Sequence, residues 1–526
     1  MHSIPVLSPA QSADWDARAA REGVALATLM ESAGRAVAEL VALEFPQPVR
    51  QGVLIAVGTG HNGGDGWVIA RALHRLEVPV WVAQLAGDVA PLTEAVRALA
   101  RGAGVREVAP DGPWPGAGLV IDAILGTGAR GAPRAPAQAL LDRIADLRVP
   151  VVAVDGPTGV DLETGVVHGA AHADLSVTFG GFRRGHLLAR DEAGDIAVVD
   201  IGHPAADPLW PRLVTDSGAA AWLPPFRSNE HKGSRGRVVV LGGDAGMTGA
   251  ARLAGRAAFA SGAGLVHVAA SPDAVEAIRM AEPDLQTAVQ PLDGSLTAEV
   301  RELLSRADVV IIGPGLGRGE GRAELVREAI RVSRTVVLDA DGLVAMAGRV
   351  SQLRDDVRAN SERVCVLMPH PGEFRTLFPE LASQREMDPW GAAGAAVDLS
   401  GCTVLLKGVP SVVAEASRAP LTIAAGNPGL ATGGSGDVLS GITGALLARQ
   451  ADAQMATACA AHALGRAADL AARRVTARAM RPMDVIAALP DLWREWDLLN
   501  RVGTPLAPPL LDRKSTRLNS SHPYRS

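Results

Sequence analysis

This sequence predicts an α/β protein of two units in tandem, each built on a mostly parallel sheet. Short apolar runs alternate with segments of helical apolar spacing, and they do so in two separate series. Each series holds a glycine-rich junction between an apolar run and a helical segment. Between the series, residues 203–227 are rich in Pro and Ala and show no clear period, as a linker would.

Taken in order, a helical segment over about 12–43 precedes the first sheet. Strand candidates follow at 53–57, 80–83, 119–121, 151–154 and 196–199. Ile69, Ala72, Leu73 and Leu76 share one helical face. Strands this short and apolar, separated by helices, are those of a sheet covered on both faces. The second series has strand candidates at 237–241, 265–269, 309–312, 336–338, 364–367 and 404–406, and its last helices end near Leu499. The expected boundaries are a first domain at 1–212, a linker at 213–226 and a second domain at 227–499. Residues 511–526 are basic, rich in Ser and without apolar period. They are expected to be disordered, an extension outside the fold.

At 526 residues and 48% hydrophobic content the chain can bury two sizeable cores. A net charge of −6 with no large basic block excludes nucleic acid as a main partner. Cys365, Cys402 and Cys459 have neither disulfide-framework nor zinc spacing, which fits a reducing cytoplasm. Residues 1–20 contain no apolar core for a signal peptide, and no apolar stretch is long enough to span a bilayer.

In the first series, the run at 53–57 leads into Gly58-Thr59-Gly60-His61-Asn62-Gly63-Gly64-Asp65-Gly66 and then a helix. Gly58, Gly60 and Gly63 satisfy GxGxxG, which taken alone reads as a dinucleotide-binding dehydrogenase or as a tight structural turn. Asn62 and Asp65 inside the loop suit a cation or ligand hydroxyls better. Asp122 ends the next run, before Gly126-Thr127-Gly128-Ala129-Arg130-Gly131, and Asp155 ends the one before Gly156-Pro157-Thr158. One such Asp is usually a helix cap, but several with glycine-rich loops point to one convergent site beyond the strand ends.

In the second series, the richest segment is Gly426-Asn427-Pro428-Gly429-Leu430-Ala431-Thr432-Gly433-Gly434-Ser435-Gly436-Asp437. Its glycines let backbone N–H groups converge on an anion at a helix start, and Asp437 stands where a base would meet a hydroxyl facing a phosphate. Upstream lie Asn229-Glu230-His231-Lys232-Gly233, Gly313-Pro314-Gly315-Leu316-Gly317, Pro369-His370-Pro371-Gly372-Glu373 and Lys407-Gly408. No GxxxxGK[ST] is present, which excludes a P-loop kinase. Lys407 reads equally as an ion-pair lysine or a phosphate ligand, and His370 as a turn cap or a ligand contact. Asp339 and Asp341 would position magnesium or cap the next helix, and they are left outside the expected site. Met247 reads as packing.

The first-series loops, with Leu29-Met30-Glu31-Ser32-Ala33-Gly34, resemble the epimerase domain of NAD(P)H-hydrate repair enzymes over roughly 1–210. That resemblance implies a Rossmann-like three-layer domain. It implies that His61, Asn62, Gly63, Gly64 and Asp65 contact a hydrated nicotinamide nucleotide, and that Asn62, Asp122 and Thr158 hold K+. It implies too that Gly126, Thr127, Gly128, Ala129, Arg130, Gly131 and Ala132 cradle phosphate, and that Asp155 is the acid/base. Thr158 stands where the family commonly has Ser, and Gly156 where an apolar residue is typical. The second series resembles the ADP-dependent NAD(P)H-hydrate dehydratase domain, a ribokinase-like fold, over roughly 220–499. By that resemblance Ala250, Gly315, His370 and Asp437 contact the hydrate. Lys407, Gly408, Val409, Pro410, Ser411 and Gly436 take the adenine nucleotide, with Mg2+.

The implied reactions are interconversion of the R and S hydrates of NADH and NADPH (NADHX and NADPHX) and ADP-driven dehydration of the S form. AMP and phosphate are the by-products, and Asp155 and Asp437 are the catalytic residues. The implied setting is a cytoplasmic homo-oligomer with no membrane partner. Three other readings are open to the sequence. They are a small-molecule kinase, since the terminal GxGD loop is widely shared, an oxidoreductase resting on GxGxxG, and a non-enzymatic first domain that only binds or dimerises.

Overall fold

The computed structural model describes residues 4–170, 172–502, 510–511 and 518–519. It divides into two compact units, Ile4–Trp210 and Pro211–Thr504.

The first unit opens with two helices where one was expected over 12–43. They are Pro9–Arg21, capped by Ser8 through a hydrogen bond from the Gln11 N–H, and α1 (Leu26–Glu44). Gly23 between them has φ +96°, which an L side chain rarely adopts, so the chain turns there. The sheet comprises β1 (Val53–Val57), β2 (Val80–Gln84), β3 (Arg106–Val108), β4 (Leu119–Ala123), β5 (Val151–Val154), β6 (Leu175–Phe179) and β7 (Asp195–Val199). Their spatial order is β7-β6-β5-β4-β1-β2-β3, and every pair is parallel. Ile55 lies opposite Val82 on one side and Ile121 on the other.

Alternate residues feed two cores, as strand geometry requires. Val53, Ile55 and Val57 pack with α1 and α2 (His61–Arg75), whereas Leu54, Ala56 and Val120 pack with α3 (Ala135–Leu147). This is the expected three-layer arrangement. In the face predicted for α2, Ile69 and Leu73 are fully buried, but Leu76 is exposed, because the helix stops there.

The second unit carries β8 (Arg237–Leu241), β9 (Leu265–Ala270), β10 (Gln286–Val289), β11 (Val309–Ile312), β12 (Thr335–Leu338), β13 (Val364–Leu367), β14 (Thr403–Leu406), β15 (Ser411–Ala414) and β16 (Leu421–Ile423). The order is β10-β9-β8-β11-β12-β13-β14-β15-β16, parallel up to β14 and antiparallel beyond it. Four helices, α4 (Thr248–Ala260), α5 (Ser435–Leu447), α6 (Ala453–Ala479) and α7 (Pro482–Val502), supply much of one core face against Val238, Val240 and Ile311. The helices approach closely at Gly441, where an added Cβ would stand 2.1 Å from the Ala254 carbonyl oxygen.

The stretch expected to be a linker, 213–226, is partly built into this second unit. Arg212–Leu213 pairs in parallel with β16, and Asp216–Trp222 is a helix capped by Thr215 with Ala219 and Ala220 fully buried. Seven residues, mostly small, leave too short a pattern for an apolar period to show. Leu510–Leu511 pairs antiparallel with β7 and with Leu518–Asn519. The rest of the tail expected to be disordered, 511–526, lies outside the described residues. Among the described residues, no helix is long and apolar enough to cross a membrane.

Candidate functional sites

In the first unit, β1 and β4 are neighbours whose onward connections leave in opposite directions, which opens a crevice at their carboxyl ends. Their loops back tightly on one another, since a Cβ on Gly58 would stand 2.0 Å from the Ile124 carbonyl oxygen. The glycine-rich loop is shorter than expected. Gly60 is the helix N-cap, so His61, Asn62 and Asp65 lie on the first turns of α2 rather than in a loop. Gly63 and Gly64 serve packing, because a Cβ there would meet Gly58 O at 2.0 Å and Met30 Cε at 2.6 Å.

A cleft of about 850 Å³ occupies the crevice, and Asp16, Asn62, Asp65, Thr127, Asp155 and Arg183 are among its lining. His61, the 126–132 loop and Arg134 line it too. Arg130 pairs with Asp161 and Glu163, each at 3.5 Å, across the loop's outer edge. Gly126 keeps the middle open, since a Cβ there would lie 3.2 Å from Asn62 Oδ1 and 3.1 Å from Asp155 Oδ2.

Asp155 follows β5 with φ +65°, a left-handed conformation that Asp tolerates better than most residues. Its Oδ2 accepts from the Thr127 N–H at 2.7 Å and from the Thr127 hydroxyl, and its Oδ1 lies 3.2 Å from Arg183 Nη2. Burial pushes this carboxyl up, but Arg183 and the Thr127 hydrogen bonds outweigh it, and it stays below the ordinary Asp range. His186 Nδ1 accepts from the Arg183 N–H at 3.0 Å, which leaves the proton on Nε2 to donate to the Asp155 carbonyl oxygen at 2.6 Å. Burial drives His186 down to about 4, so it is neutral. Gly156 makes room for that ring, because a Cβ there would come within 2.9 Å of Nε2.

Asp65 is pushed well above the ordinary Asp range by burial and by the charges of Asp155 and Asp16. Asp122 and Thr158 are brought together. Asp122 Oδ1 accepts from the Thr158 hydroxyl and Oδ2 from its N–H, both at 2.8 Å. Both side-chain amide atoms of Asn62 are buried without a hydrogen-bond partner. An orphaned amide oxygen, a threonine hydroxyl and a buried carboxylate around the same loops form an all-oxygen donor set suited to a hard cation.

In the second unit, the switch point lies between β8 and β11. The Gly243 N–H donates to Pro314 O at 3.0 Å and the Asp244 N–H to Gly315 O at 2.6 Å, locking the two loops together. Ala250 and Gly315 meet here, since a Cβ on Gly315 would lie 3.3 Å from Ala250 Cβ. The Gly317 N–H donates to Asp341 Oδ2 at 3.0 Å.

A second cluster gathers at the start of α5. Gly434, with φ +98°, precedes the helix, and Asp437 lies in its first turn. Lys407, at the end of β14, places Nζ 2.7 Å from Asp339 Oδ1 and 3.9 Å from Glu373 Oε2. Asp339 Oδ2 accepts from Ser440 at 2.6 Å. A Cβ on Gly436 would stand 3.6 Å from Lys407 Nζ and 3.8 Å from Asp339 Oδ2.

Asp339 thus belongs to this cluster, contrary to its expected exclusion from the site, and so does Glu373. Burial and the Asp339 carboxylate push Asp437 up to about 7, with Lys407 pulling the other way. Burial pushes Glu373 up to about 7 as well. The acids of this cluster outnumber its one lysine, so phosphate oxygens would enter it with a neutralising cation of their own; among the described residues no three acids, histidines or cysteines are grouped as a metal site.

His370 is the N-cap of the helix Pro371–Leu377. Its Nδ1 accepts from the Gly372 and Glu373 N–H groups at 2.9 and 3.3 Å, and its Nε2 lies 3.4 Å from Glu373 Oε1. Residues 407–411 form the turn between β14 and β15, closed by Ser411 Oγ, which accepts from the Gly408 N–H at 3.1 Å. Val409 is exposed on that turn.

Sequence reasoning missed Arg183 and His186. They follow β6, a strand whose polar Ser176 and Thr178 break up its apolar run, and no spacing marks them. Asp339 was legible as an acid ending an apolar run, the signal that picked out Asp122 and Asp155.

Comparison with known families agrees with this division into two sites. A family described as YjeF-related protein N-terminus matches residues 26–185, and one described as NAD(P)H-hydrate dehydratase matches residues 238–491. The bifunctional NAD(P)H-hydrate repair enzyme of Escherichia coli is 36% identical over 478 residues, covering 89% of each chain. That of Coxiella burnetii is 33% identical over 492 residues, covering 90% of this chain and 96% of its own. Likeness of that extent, spanning both sites in one chain, shows that the protein belongs to the family of bifunctional NAD(P)H-hydrate repair enzymes.

Proposed function

We propose that the first unit interconverts the R and S forms of hydrated NADH and NADPH, and that the second dehydrates the S form with ADP. The products are NAD(P)H, AMP and phosphate. The observation that carries this reading is the pair of carboxylates in opposite states. Asp155 is held ionised by Arg183 and Thr127, and Asp437 is poised near 7 beside Lys407 and Asp339.

In the first unit, the 126–132 loop and the start of α3 receive the nucleotide phosphate through backbone N–H groups. His61 and Asp65 face the rest of the hydrate, whereas Gly63 and Gly64, expected to touch it, lie behind them in the packing of the loop. Asp155, as an anion, takes the proton from the C6 hydroxyl as the C6–N1 bond opens to an aldehyde and leaves its electron pair on the nitrogen, and returns the proton when the nitrogen closes back on the other face of that carbon. Asn62, Asp122 and Thr158 would hold K+, which would supply a fixed positive charge beside the substrate's anionic groups.

In the second unit, Ala250, Gly315 and His370 seat the hydrate, and Lys407 to Ser411 with Gly436 seat ADP. Asp437 removes the hydroxyl proton as that oxygen attacks the β-phosphorus of ADP, and AMP leaves. Phosphate then departs from the ring carbon as a far better leaving group than hydroxide, and the ring loses a proton to restore the double bond. Lys407 and the N–H groups of Gly434, Ser435 and Gly436 counter the charge on the phosphoryl group in flight. Asp339, beside Lys407, would meet Mg2+ brought in on the phosphate oxygens, whose charge the ion would neutralise. Cytoplasmic residence and self-association belong to this reading.

Near-ultraviolet absorbance of reduced nicotinamide tests it, with mixed R and S hydrate of NADH, Mg2+, K+ and ADP. Full ADP-dependent recovery of NADH, faster than spontaneous epimerisation, supports both activities. Recovery of the S fraction alone removes the epimerase. No recovery with ADP or ATP leaves a small-molecule kinase as the better account of the second unit.

A further inference from the structure

The glycine-rich loop before Asp437 is held from behind by a buried polar chain. Asn427 opens the loop. Its Oδ1 accepts from the Gly429 N–H at 3.0 Å, and its Nδ2 donates to Asp469 Oδ1 at 3.1 Å. Asp469 is buried on α6, where Arg466 Nη1 reaches its Oδ2 at 3.4 Å. The Arg466 side chain is 1% exposed, and its Nε donates to Asp216 Oδ1 and Oδ2 at 2.9 and 3.0 Å. His462 Nε2 also meets Asp216 Oδ1 at 2.8 Å, and Arg466 Nη2 lies 3.6 Å from Glu495.

Packing runs parallel to this chain. A Cβ on Gly465 would lie 2.4 Å from the Ala425 carbonyl carbon, and one on Gly429 would lie 2.6 Å from Ala477 O. The loop therefore touches α6 near Gly465, Asp469 and Ala477. The far end of the polar chain, Asp216, comes from the segment that the sequence presents as a linker.

We propose that Asp469, Arg466 and Asp216 are positioning residues that fix the register of the 426–437 loop through Asn427, and so set how tightly the second unit binds its phosphoryl donor. This rests on the dehydratase reading. None of the three touches the cluster around Asp437. Their link to Asn427 is the hydrogen bond from Asn427 to Asp469, between a neutral donor and a charged acceptor. A bond of that kind has a net worth near tenfold in an equilibrium constant, about one decade.

The link is separable from the local cap. Asn427→Asp keeps an acceptor for the Gly429 N–H but replaces the donor by a charge facing Asp469. The pair Asn427→Asp with Asp469→Asn restores a donor and an acceptor with their places exchanged. The full chain is assayed with S NADH hydrate, Mg2+ and varied ADP, and each variant is checked by thermal unfolding. Asn427→Asp should raise KM for ADP about tenfold or more, and KM for the hydrate, which meets this loop only at Asp437, by clearly less. The double variant should bring KM for ADP back toward wild type. Asn427→Ser, which keeps a cap acceptor without reaching Asp469, should show the same selective rise and covers the case in which the charged variant does not fold.

An Asn427→Ser or Asn427→Asp chain with the wild-type KM for ADP overturns the proposal. So does a double variant no better than Asn427→Asp. A wild-type chain that restores no NADH overturns the dehydratase reading itself, a different outcome.

Discussion

Arg183 Nη2 lies 3.2 Å from the Asp155 carboxylate, and both side chains are buried. The same guanidinium donates to the Thr127 hydroxyl at 3.0 Å and to the Gly181 carbonyl at 2.8 Å, so it cannot swing away from the acid. Its charge is what keeps a buried Asp ionised. The depressed carboxyl contributes stability above the ordinary Asp range and loses it as pH falls through its own lower value. Arg183→Gln should therefore move the acid limb of epimerase kcat/KM upward by about 1–3 pH units, the size of a lost adjacent charge. An unmoved limb would mean that Arg183 does not set the ionisation of Asp155.

The second site has the opposite electrostatics. Asp437 and Glu373 are each pushed up to about 7, burial first, and each feels the Asp339 carboxylate. Groups raised in this way contribute stability that is full below the ordinary carboxylate range and is lost as pH rises through about 7. The ligand-free chain should lose thermal stability between about pH 4 and 7, and Asp437→Asn should flatten that slope. In catalysis, kcat/KM for dehydration should show an acid limb near 7 that belongs to the pair. Glu373→Gln, by removing a like charge, should move that limb to lower pH. A limb that stays in place would separate Glu373 from Asp437.

The strands of both sheets were legible where they are short apolar runs ending at a glycine or an acid. Those at 53–57, 151–154, 237–241 and 309–312 appear where the sequence places them. Strands of mixed polarity were not legible. Leu175–Phe179 contains Ser176 and Thr178, both fully buried, and Gln286–Val289 is an edge strand. Missing the first hid Arg183, whose place beside Asp155 depends on that strand lying next to β5. Asp339 was misjudged for another reason. It does cap the helix Ala340–Ala345, accepting from the Ala340 N–H at 2.8 Å, and it also binds Lys407. A local reading offers cap or site as alternatives, whereas a carboxylate has enough lone pairs for both.

Because the two carboxylates sit in separate units, their losses should separate cleanly. Asp155→Ala should lower epimerisation by about 10²–10⁴-fold, the usual worth of a general acid/base, with dehydration of the S form unchanged. Asp437→Ala should do the reverse. Chiral separation of the residual hydrate reports the first activity, and ADP-dependent absorbance gain from pure S hydrate reports the second. A variant with wild-type rates in both assays would remove its residue from the mechanism.

Asn62 offers a test independent of turnover. Its amide oxygen and nitrogen are both buried and unpartnered within the chain, a cost of about 1–3 kcal/mol for each group unless something else satisfies it. Asp122 and Thr158 by contrast satisfy one another, so a cation at this place draws most directly on the Asn62 oxygen. A ligand that binds the folded state raises its stability by RT ln(1 + [L]/Kd), whether or not substrate is present. Thermal unfolding of the substrate-free chain should therefore shift upward with K+ when N-methylglucamine is the control cation at equal ionic strength. A gain of about 1 kcal/mol would move a unit of this size by roughly 2–4 °C. Asn62→Ala should remove the K+ response, and it should lose less stability than a typical buried truncation, since it deletes unpaired polar atoms along with the side chain. An Asn62→Ala chain that still responds fully to K+ would place the cation elsewhere and leave the orphaned amide to the substrate.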